Sequence, residues 1–546
     1  VSYGQIPRAA RATKHQAMAE WIEDVGERLD DHAEVLAYHY STALELAKSS
    51  GASDVAKLEG KSQRFLIAAA ERAVKLDASR ALALYRQALE LIGPNDPETP
   101  RVLQEAGKAC RSLGLFPEST SYLEQAVEGF SARGDPLGEG KASGILAVLL
   151  RDQGSFEEGR RSALRSVHLL EQQPPGNELS LAYQSMAGLE RGAGSLDEAL
   201  AWADKALEVA RSSADAKTLW EALGLRGLQR CEIGDVGGLA DLREATDLSE
   251  ELGDPLSTFT SYNNLADQLW LIEGPAEGLK INSEAQVIGR AHGFVYQMYW
   301  ARMGALFMLF EVGSWDQLVR EANELIAWAQ EQSAALVESV STFVKAVALF
   351  HLGETHEALS LEESFLPLAR DMDEREFLLP CLSFCSLLHA ATGDNVTTLT
   401  LIREFEMKTE QARHYRARYL PDIVRAALST GNAQHVSQLL VEDDVFYAQT
   451  RNAVITTQAL LAEAQGDLEH ALSLHGDAAQ RWKEYGFVLE EGQALLGEGR
   501  CLVALGRKLE APQPLQRARE IFLQLGALPL VQETDIHLER ATALTS

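Results

Sequence analysis

Cysteine is scarce in this chain, with five among 546 residues, at Cys110, Cys231, Cys381, Cys385 and Cys501. An odd, dispersed set is not a disulfide framework. Proline is sparse as well, and the one proline pair lies in Gln172-Gln-Pro-Pro-Gly176, so no proline-rich linker divides the chain. Positive charge is in short supply. Lys and Arg number 50 against 80 Asp and Glu, a formal charge of −30, which would repel nucleic acid. No apolar run approaches the ~18 residues of a membrane span. The longest, around Ile145 to Leu150, is far too short. No signal-peptide pattern opens the chain. Catalytic signatures are missing too: neither Gly-x-Ser-x-Gly nor His-Glu-x-x-His occurs. The nearest approach to a phosphate loop is Gly138-Glu-Gly-Lys-Ala-Ser, where Ala142 replaces the metal-binding hydroxyl after Lys141. These absences imply a non-catalytic, cytoplasmic chain with no cofactor, no metal, no membrane contact and no direct nucleic-acid partner.

What the chain does have is a period. Gly114, Gly154, Gly194, Gly234, Gly274, Gly313, Gly353, Gly393, Gly431, Gly466 and Gly506 follow one another at steps of 40, 40, 40, 40, 39, 40, 40, 38, 35 and 40. A fixed period of this length marks a solenoid, in which one supersecondary unit is stacked many times and no single core limits the length. The neighbouring text repeats as well: Ser-Leu-Asp-Glu-Ala-Leu follows Gly194, and Asp-Leu-Glu-His-Ala-Leu follows Gly466. Small residues recur seven before the glycine (Gly107, Ala147, Gly227, Gly499) and five after it (Ser119, Gly159, Ala199, Ala471). Small side chains let helix axes approach, so these positions read as helix crossings. The unit is then helix A, a turn at the glycine, and helix B, with Gly134, Gly253, Gly293, Gly486 and Gly526 closing helix B. Gly134-Asp-Pro, Gly253-Asp-Pro and Asn95-Asp96-Pro97 read as helix starts. Asp77 stands in a glycine's place as the first turn.

This pattern resembles the tetratricopeptide repeat (TPR), over roughly residues 55 to 526. It departs in length, since about 34 residues is usual, and in lacking the closing proline. The longer variant is similar to the TPR-like superhelices of bacterial signal-transduction ATPases. The opening stretch resembles the junction between a winged-helix domain and a TPR arm in STAND-type ATPases, on Tyr3, Pro7, Arg11, His15, His39 and Tyr40. It looks most like the actinobacterial proteins that join a nucleotide-cyclase domain, an ATPase domain and a TPR arm. The resemblance implies an all-α, right-handed TPR-like superhelix of about twelve antiparallel helix pairs with ~40-residue repeats. Residues 1–50 would be winged-helix/arm junction helices, 51–526 the solenoid and 527–546 a C-terminal capping helix. It also implies that the chain, starting at Val1, is a fragment with an ATPase domain upstream in cis. Its function would be a protein- or ligand-binding sensor or scaffold arm. The alternative is a stand-alone TPR scaffold for protein assembly.

Helix A positions facing a concave groove supply the candidate site. The early repeats offer a basic stripe of Arg101, Gln104, Lys108, Arg111, Lys141, Arg151, Gln184 and Arg191, suited to an acidic or phosphorylated partner. Later repeats offer Asn263, Asp267, Trp270, Tyr299 and Arg302, aromatic rings beside fixed polar groups, suited to a peptide or a small effector. Cys381, Cys385 and His389 share one helix face, but core burial accounts for them better than a metal. Between Ala412 and Gly466 the spacing is irregular and Val441-Glu-Asp-Asp-Val-Phe replaces the closing turn, so a shortened helix B is expected there.

Overall fold

A computed structural model describes residues 6–542 apart from 27–28, 52–54, 75–76, 114, 154, 194, 214, 333, 373–374, 411–415 and 432–446. The irregular turn at Val441 and the period glycines Gly114, Gly154 and Gly194 lie outside the described residues. The other eight period glycines all adopt positive φ, between 76° and 118°, where a side chain would be strained. Asp77 behaves differently. Its backbone is extended and its side chain accepts a hydrogen bond from Arg80 N, so it caps the helix that follows instead of ending the one before. Asp135 caps as expected, accepting from Gly138 N. Asp254 stands at the N-cap but makes no side-chain bond to the helix backbone, accepting instead from Ser257 Oγ at 2.6 Å. At Asn95-Asp96-Pro97 the helix starts later, at Thr99, and Asp96 instead holds the Glu98 N–H at 2.9 Å.

The fold is an all-α repeat of antiparallel helix pairs, divided into two compact units, Val1–Ala222 and Leu223–Ser546. In the first, Arg8–Val25 and Ala33–Ser50 precede the pairs Val55–Ala73 with Ala78–Leu91, Thr99–Ser112 with Phe116–Ala132, Pro136–Asp152 with Phe156–Leu170, and Asn177–Ala193 with Leu196–Ser212. In the second, the clearest pairs are Pro255–Glu273 with Pro275–His292, Val295–Glu311 with Trp315–Gln332, Arg375–Thr392 with Asn395–Thr409, Ala448–Gln465 with Leu468–Tyr485, and Val488–Ala504 with Pro512–Leu525. Leu528–Thr542 ends the array. Ala335–Leu352 is long and apolar enough to cross a membrane. This corrects the expectation that no apolar stretch reaches that length: Glu338 and Lys345 interrupt the helix, yet its mean hydropathy stays high. More than half of it is buried within the second unit.

Small residues sit where helices cross. A β-carbon at Gly107 would lie 2.8 Å from Leu123, at Gly227 2.7 Å from Leu242, and at Gly499 2.3 Å from Leu515. Each leucine of helix B thus lodges against bare backbone of helix A. Serines also seal crossings by donating to facing carbonyls, Ser119 Oγ to Gly107 O at 2.7 Å and Ser166 Oγ to Gly140 O at 2.7 Å. Ala199 and Ala471 are fully buried. Leucine at either position should cost ~1–3 kcal/mol by overpacking. Urea unfolding checks this, and unchanged stability would dispose of the crossing assignment.

The second unit also folds back on itself. A β-carbon at Gly274 would lie 2.1 Å from the Tyr485 carbonyl oxygen, at Gly313 2.5 Å from Leu525, and at Gly353 3.4 Å from Pro529. Tyr485 Oη donates to Trp270 O at 2.8 Å. Phe310, Trp315 and Leu352 share one apolar cluster with Leu489, Phe522 and Leu525. The helix A turns of three early repeats therefore pack on the turns near Gly486 and Gly526. A period predicts contacts between neighbouring repeats only, so this seam between distant repeats is a finding of the structure.

Candidate functional site

In the first unit, the basic residues of helices Thr99–Ser112 and Pro136–Asp152 are met by carboxylates. Arg101 binds Glu71 at 2.5 Å and Glu98 at 2.7 Å; Lys108 binds Glu105 at 2.8 Å; Lys141 binds Glu178 at 2.7 Å. The hydrogen bond from Lys141 pulls the Glu178 carboxyl below its ordinary range. Gln104 donates to Glu105 at 3.2 Å, and Gln184 to Ser180 Oγ at 3.3 Å. Arg111, Arg151 and Arg191 are engaged as well, and the Arg151 guanidinium fills the space over Gly188. The stripe thus alternates in sign. Part of it borders an open cavity of about 390 Å³, lined by Arg64, Arg101, Glu71 and Glu98.

In the second unit the five later residues fall into two sets. Asn263, Asp267 and Trp270 stay together on helix Pro255–Glu273, with Asn263 donating to Asp267 at 3.4 Å. Tyr299 and Arg302 do not join them. Tyr299 stacks on Trp328 with ring centroids 3.8 Å apart, and Arg302 bonds Glu321 and, at 2.6 Å, Glu324. The reason is angular. At 3.6 residues per turn, positions nine apart point to opposite sides of a helix. Arg302 therefore faces away from Glu311, and Glu311 is the residue that meets Trp270.

Glu311 is the hub of the seam. Its carboxylate accepts from Trp270 Nε1 at 2.7 Å, from Gln449 Nε2 at 2.7 Å and from Tyr485 Oη at 3.4 Å. Arg418 stands 3.5 Å away and lies over the Trp270 ring, 4.4 Å from its centroid. Burial pushes the Glu311 carboxyl up to about 7, against the pull of Arg418 and the three donors. Burial likewise pushes Asp267 up to about 7, and Glu376 adds to it. Further along the interior, Arg425 grips both oxygens of Glu490 at 2.6 and 2.8 Å. His351, in contact with the rings of Phe310, Trp315 and Phe350, is pushed down to about 3 by burial, with Arg425 adding. Such groups are costly to desolvate, and they surround aromatic rings. The arrangement can hold a ligand's apolar body and fix charged ends.

Sequence reasoning missed Glu311, Arg418, Gln449 and Tyr485, because their meeting depends on the seam. One signal was present. Glu311 and His351 both stand two residues before a period glycine, a place where small residues or turn formers would serve.

Two clusters place cysteine near other possible metal ligands. Cys381 and Cys385 are buried, and His389 binds Glu362 at 2.9 Å. Glu463, His475 and Cys501 bring donor atoms within 4.8 Å of one another. There, however, Arg500 bonds both Glu463 oxygens at 2.8 and 3.0 Å. Burial alone would raise the Glu463 carboxyl; bonds from His475 and Arg500 overcome it and hold it at about 2. That is an ion-pair network centred on Glu463, with His475 Nδ1 left buried and without a hydrogen bond.

No protein-family model matches the chain, and no curated protein sequence does. Among solved structures it is similar to the Cut9–Hcn1 hetero-tetramer of the APC/C, at 13% identity and a TM-score of 0.45, over 88% of this chain and 96% of that one. It is similar to a STAND signal-transduction ATPase with a tetratricopeptide-repeat sensor from Pyrococcus horikoshii, at 15% identity and a TM-score of 0.42. That match covers 65% of this chain and 52% of the other. It is also similar to a Rap protein complexed with competence and sporulation factor, at 14% identity and a TM-score of 0.33, over 55% of this chain and 93% of that one.

Proposed function

We propose that this chain is a non-catalytic sensor arm that binds a peptide or protein segment on the interior of its second unit. One observation carries the reading. Asn263, Asp267, Trp270, Glu311 and Arg418 set ionisable groups around an aromatic face in a repeat array that could pack on apolar contacts alone. Perturbed titratable groups beside aromatic rings are the usual mark of a binding site. The junction residues Tyr3, Pro7, Arg11, His15, His39 and Tyr40 extend the proposal. On their resemblance, the arm belongs to a cytoplasmic signalling ATPase with a cyclase or other output domain upstream, and binding alters how the ATPase packs on residues 1–50.

The test is a random peptide display library panned on the immobilised chain. Selected peptides should bind the parent chain and lose tenfold or more in the Asn263→Ala, Asp267→Asn double variant, with circular dichroism unchanged. Selected peptides that bind both equally, or no enrichment over a scrambled pool, would return these residues to plain packing.

A further inference from the structure

We propose that Arg418 is an oxyanion-binding site that Glu311 closes when ionised, so that anion binding on this interior is coupled to proton uptake. The inference rests on the reading of this interior as a ligand site, and specifies the charge its ligand presents there.

The geometry around Arg418 is unusual for a guanidinium inside a fold. Among the described residues it makes no hydrogen bond; its ion pair is the 3.5 Å approach to Glu311 Oε1. Aromatic rings flank it, the guanidinium carbon lying 4.4 Å from the Trp270 ring centroid and 5.7 Å from that of Tyr419. Contacts with rings satisfy none of the N–H donors of a guanidinium by hydrogen bonding, which leaves the fork that fits a carboxylate or phosphate. The side chain is 24% exposed, so the fork is reachable.

Glu311 does not fill that fork. Its oxygens are turned to Trp270 and Gln449, each at 2.7 Å, and its approach to Arg418 is 3.5 Å. It holds Arg418 by charge alone. That hold disappears when the carboxyl takes a proton, and the proton has a place to go. Gln449 Oε1 is buried with no hydrogen-bond partner. By turning its amide over, Gln449 accepts from the new Glu311 O–H. The neutral hub is therefore as well bonded as the ionised one, and Arg418 is left needing an anion. Burial places the titration near neutrality.

The other groups facing the hub set the direction. Trp270 comes from helix Pro255–Glu273, Gln449 from Ala448–Gln465 and Tyr485 from Leu468–Tyr485, and none of them carries charge near neutral pH. Glu376, at the start of Arg375–Thr392, acts on Arg418, as does the Tyr485 hydroxyl. Glu376 opposes an incoming anion. So does Asp267 when ionised, and it too becomes neutral as the pH falls through about 7. Glu311 and Asp267 thus both favour anion entry at the acid end. No bond is made or broken in the event: a proton moves from solvent to Glu311 while the anion moves from solvent to Arg418.

Sulfate and acetate, whose charges are constant between pH 6 and 8, serve as probes for calorimetry on the intact chain at fixed ionic strength. The expected result is binding that weakens about tenfold or more per pH unit above 7, with about one proton or more taken up per anion, judged from buffers of different ionisation enthalpy. A preference for acetate assigns a carboxylate to the ligand; a preference for sulfate assigns a phosphoryl group. Glu311→Gln should bind at pH 8 as the parent chain does at pH 6. Arg418→Gln should lose binding while keeping its circular-dichroism spectrum, and Asp267→Asn should still take up a proton with the anion, through Glu311. Affinity that rises with pH, a Glu311→Gln variant that keeps the slope, undiminished binding in Arg418→Gln, or no binding of either anion at any pH would overturn the coupling. Failure here would leave the peptide selection and its Asp267-dependence standing on their own result.

Discussion

Replacing Gly274 with alanine is expected to cost the second unit roughly 3 kcal/mol or more, the sum of a left-handed backbone and a forced overpacking. The glycine has φ 118°, and its new β-carbon would fall 2.1 Å from the carbonyl oxygen of Tyr485. That atom is backbone, at the end of helix Leu468–Tyr485, and cannot swing aside as a side chain could. Gly293 is the control. It also has positive φ, 71°, but a β-carbon there would meet nothing within 4 Å. Alanine at 293 should therefore cost about 1 kcal/mol, from conformation alone. Denaturant unfolding, followed by tryptophan fluorescence and circular dichroism together, separates the two. Equal losses at 274 and 293 would mean that the seam adds nothing to stability.

Glu311→Gln is expected to stabilise the chain at pH 8 and to leave it unchanged near pH 4.5. The sign follows from linkage. A carboxyl raised from 4.5 to about 7 in the folded state holds its proton more tightly there than in the unfolded chain. Its contribution is complete below 4.5 and is lost as the pH rises through about 7. A permanently neutral glutamine avoids that loss, which at 1.36 kcal/mol per unit is at most roughly 3 kcal/mol. Arg418, deprived of its counter-charge, takes back part of the gain. His351 works in the opposite direction. Its ring, pushed down to about 3, contributes stability above its unfolded value of 6.5 that is lost as the pH falls. The comparison is therefore variant against parent at each pH, by melting temperature. A Glu311→Gln chain less stable than its parent at both ends would show that the ionised carboxylate is the favoured native form.

The two predictions mark where the sequence is legible and where it is not. Glycine needs its turn conformation for local reasons, so Gly234 through Gly506 announce the turns, and the small residues seven before and five after them announce the crossings. Capping is local too, yet Asp77 shows its limit: an aspartate in a glycine's register took up the next helix's cap, because its side chain has a backbone N–H within reach. The expectation for Trp270 and Arg302 as one site assumed that equivalent positions in adjacent repeats share a surface. Nine residues along one helix reverse the direction of a side chain, so Arg302 meets Glu321 and Glu324 while Glu311 meets Trp270. Gln449 and Tyr485 lie more than a hundred positions from Glu311 in the chain. No periodicity relates them, and only the return of the array brings them together.

That return changes how the second unit can move. In an open stack, a small rotation at each helix pair adds to the next, and the free end travels far. Here Gly274, Gly313 and Gly353 are pinned against the turns near Gly486 and Gly526. A rotation introduced at one pair must be cancelled among the others or break the seam. The unit is mechanically a hoop, not a spring. Weak ligands will strain it without visible displacement, and a ligand strong enough to part the seam will produce a large change in one step.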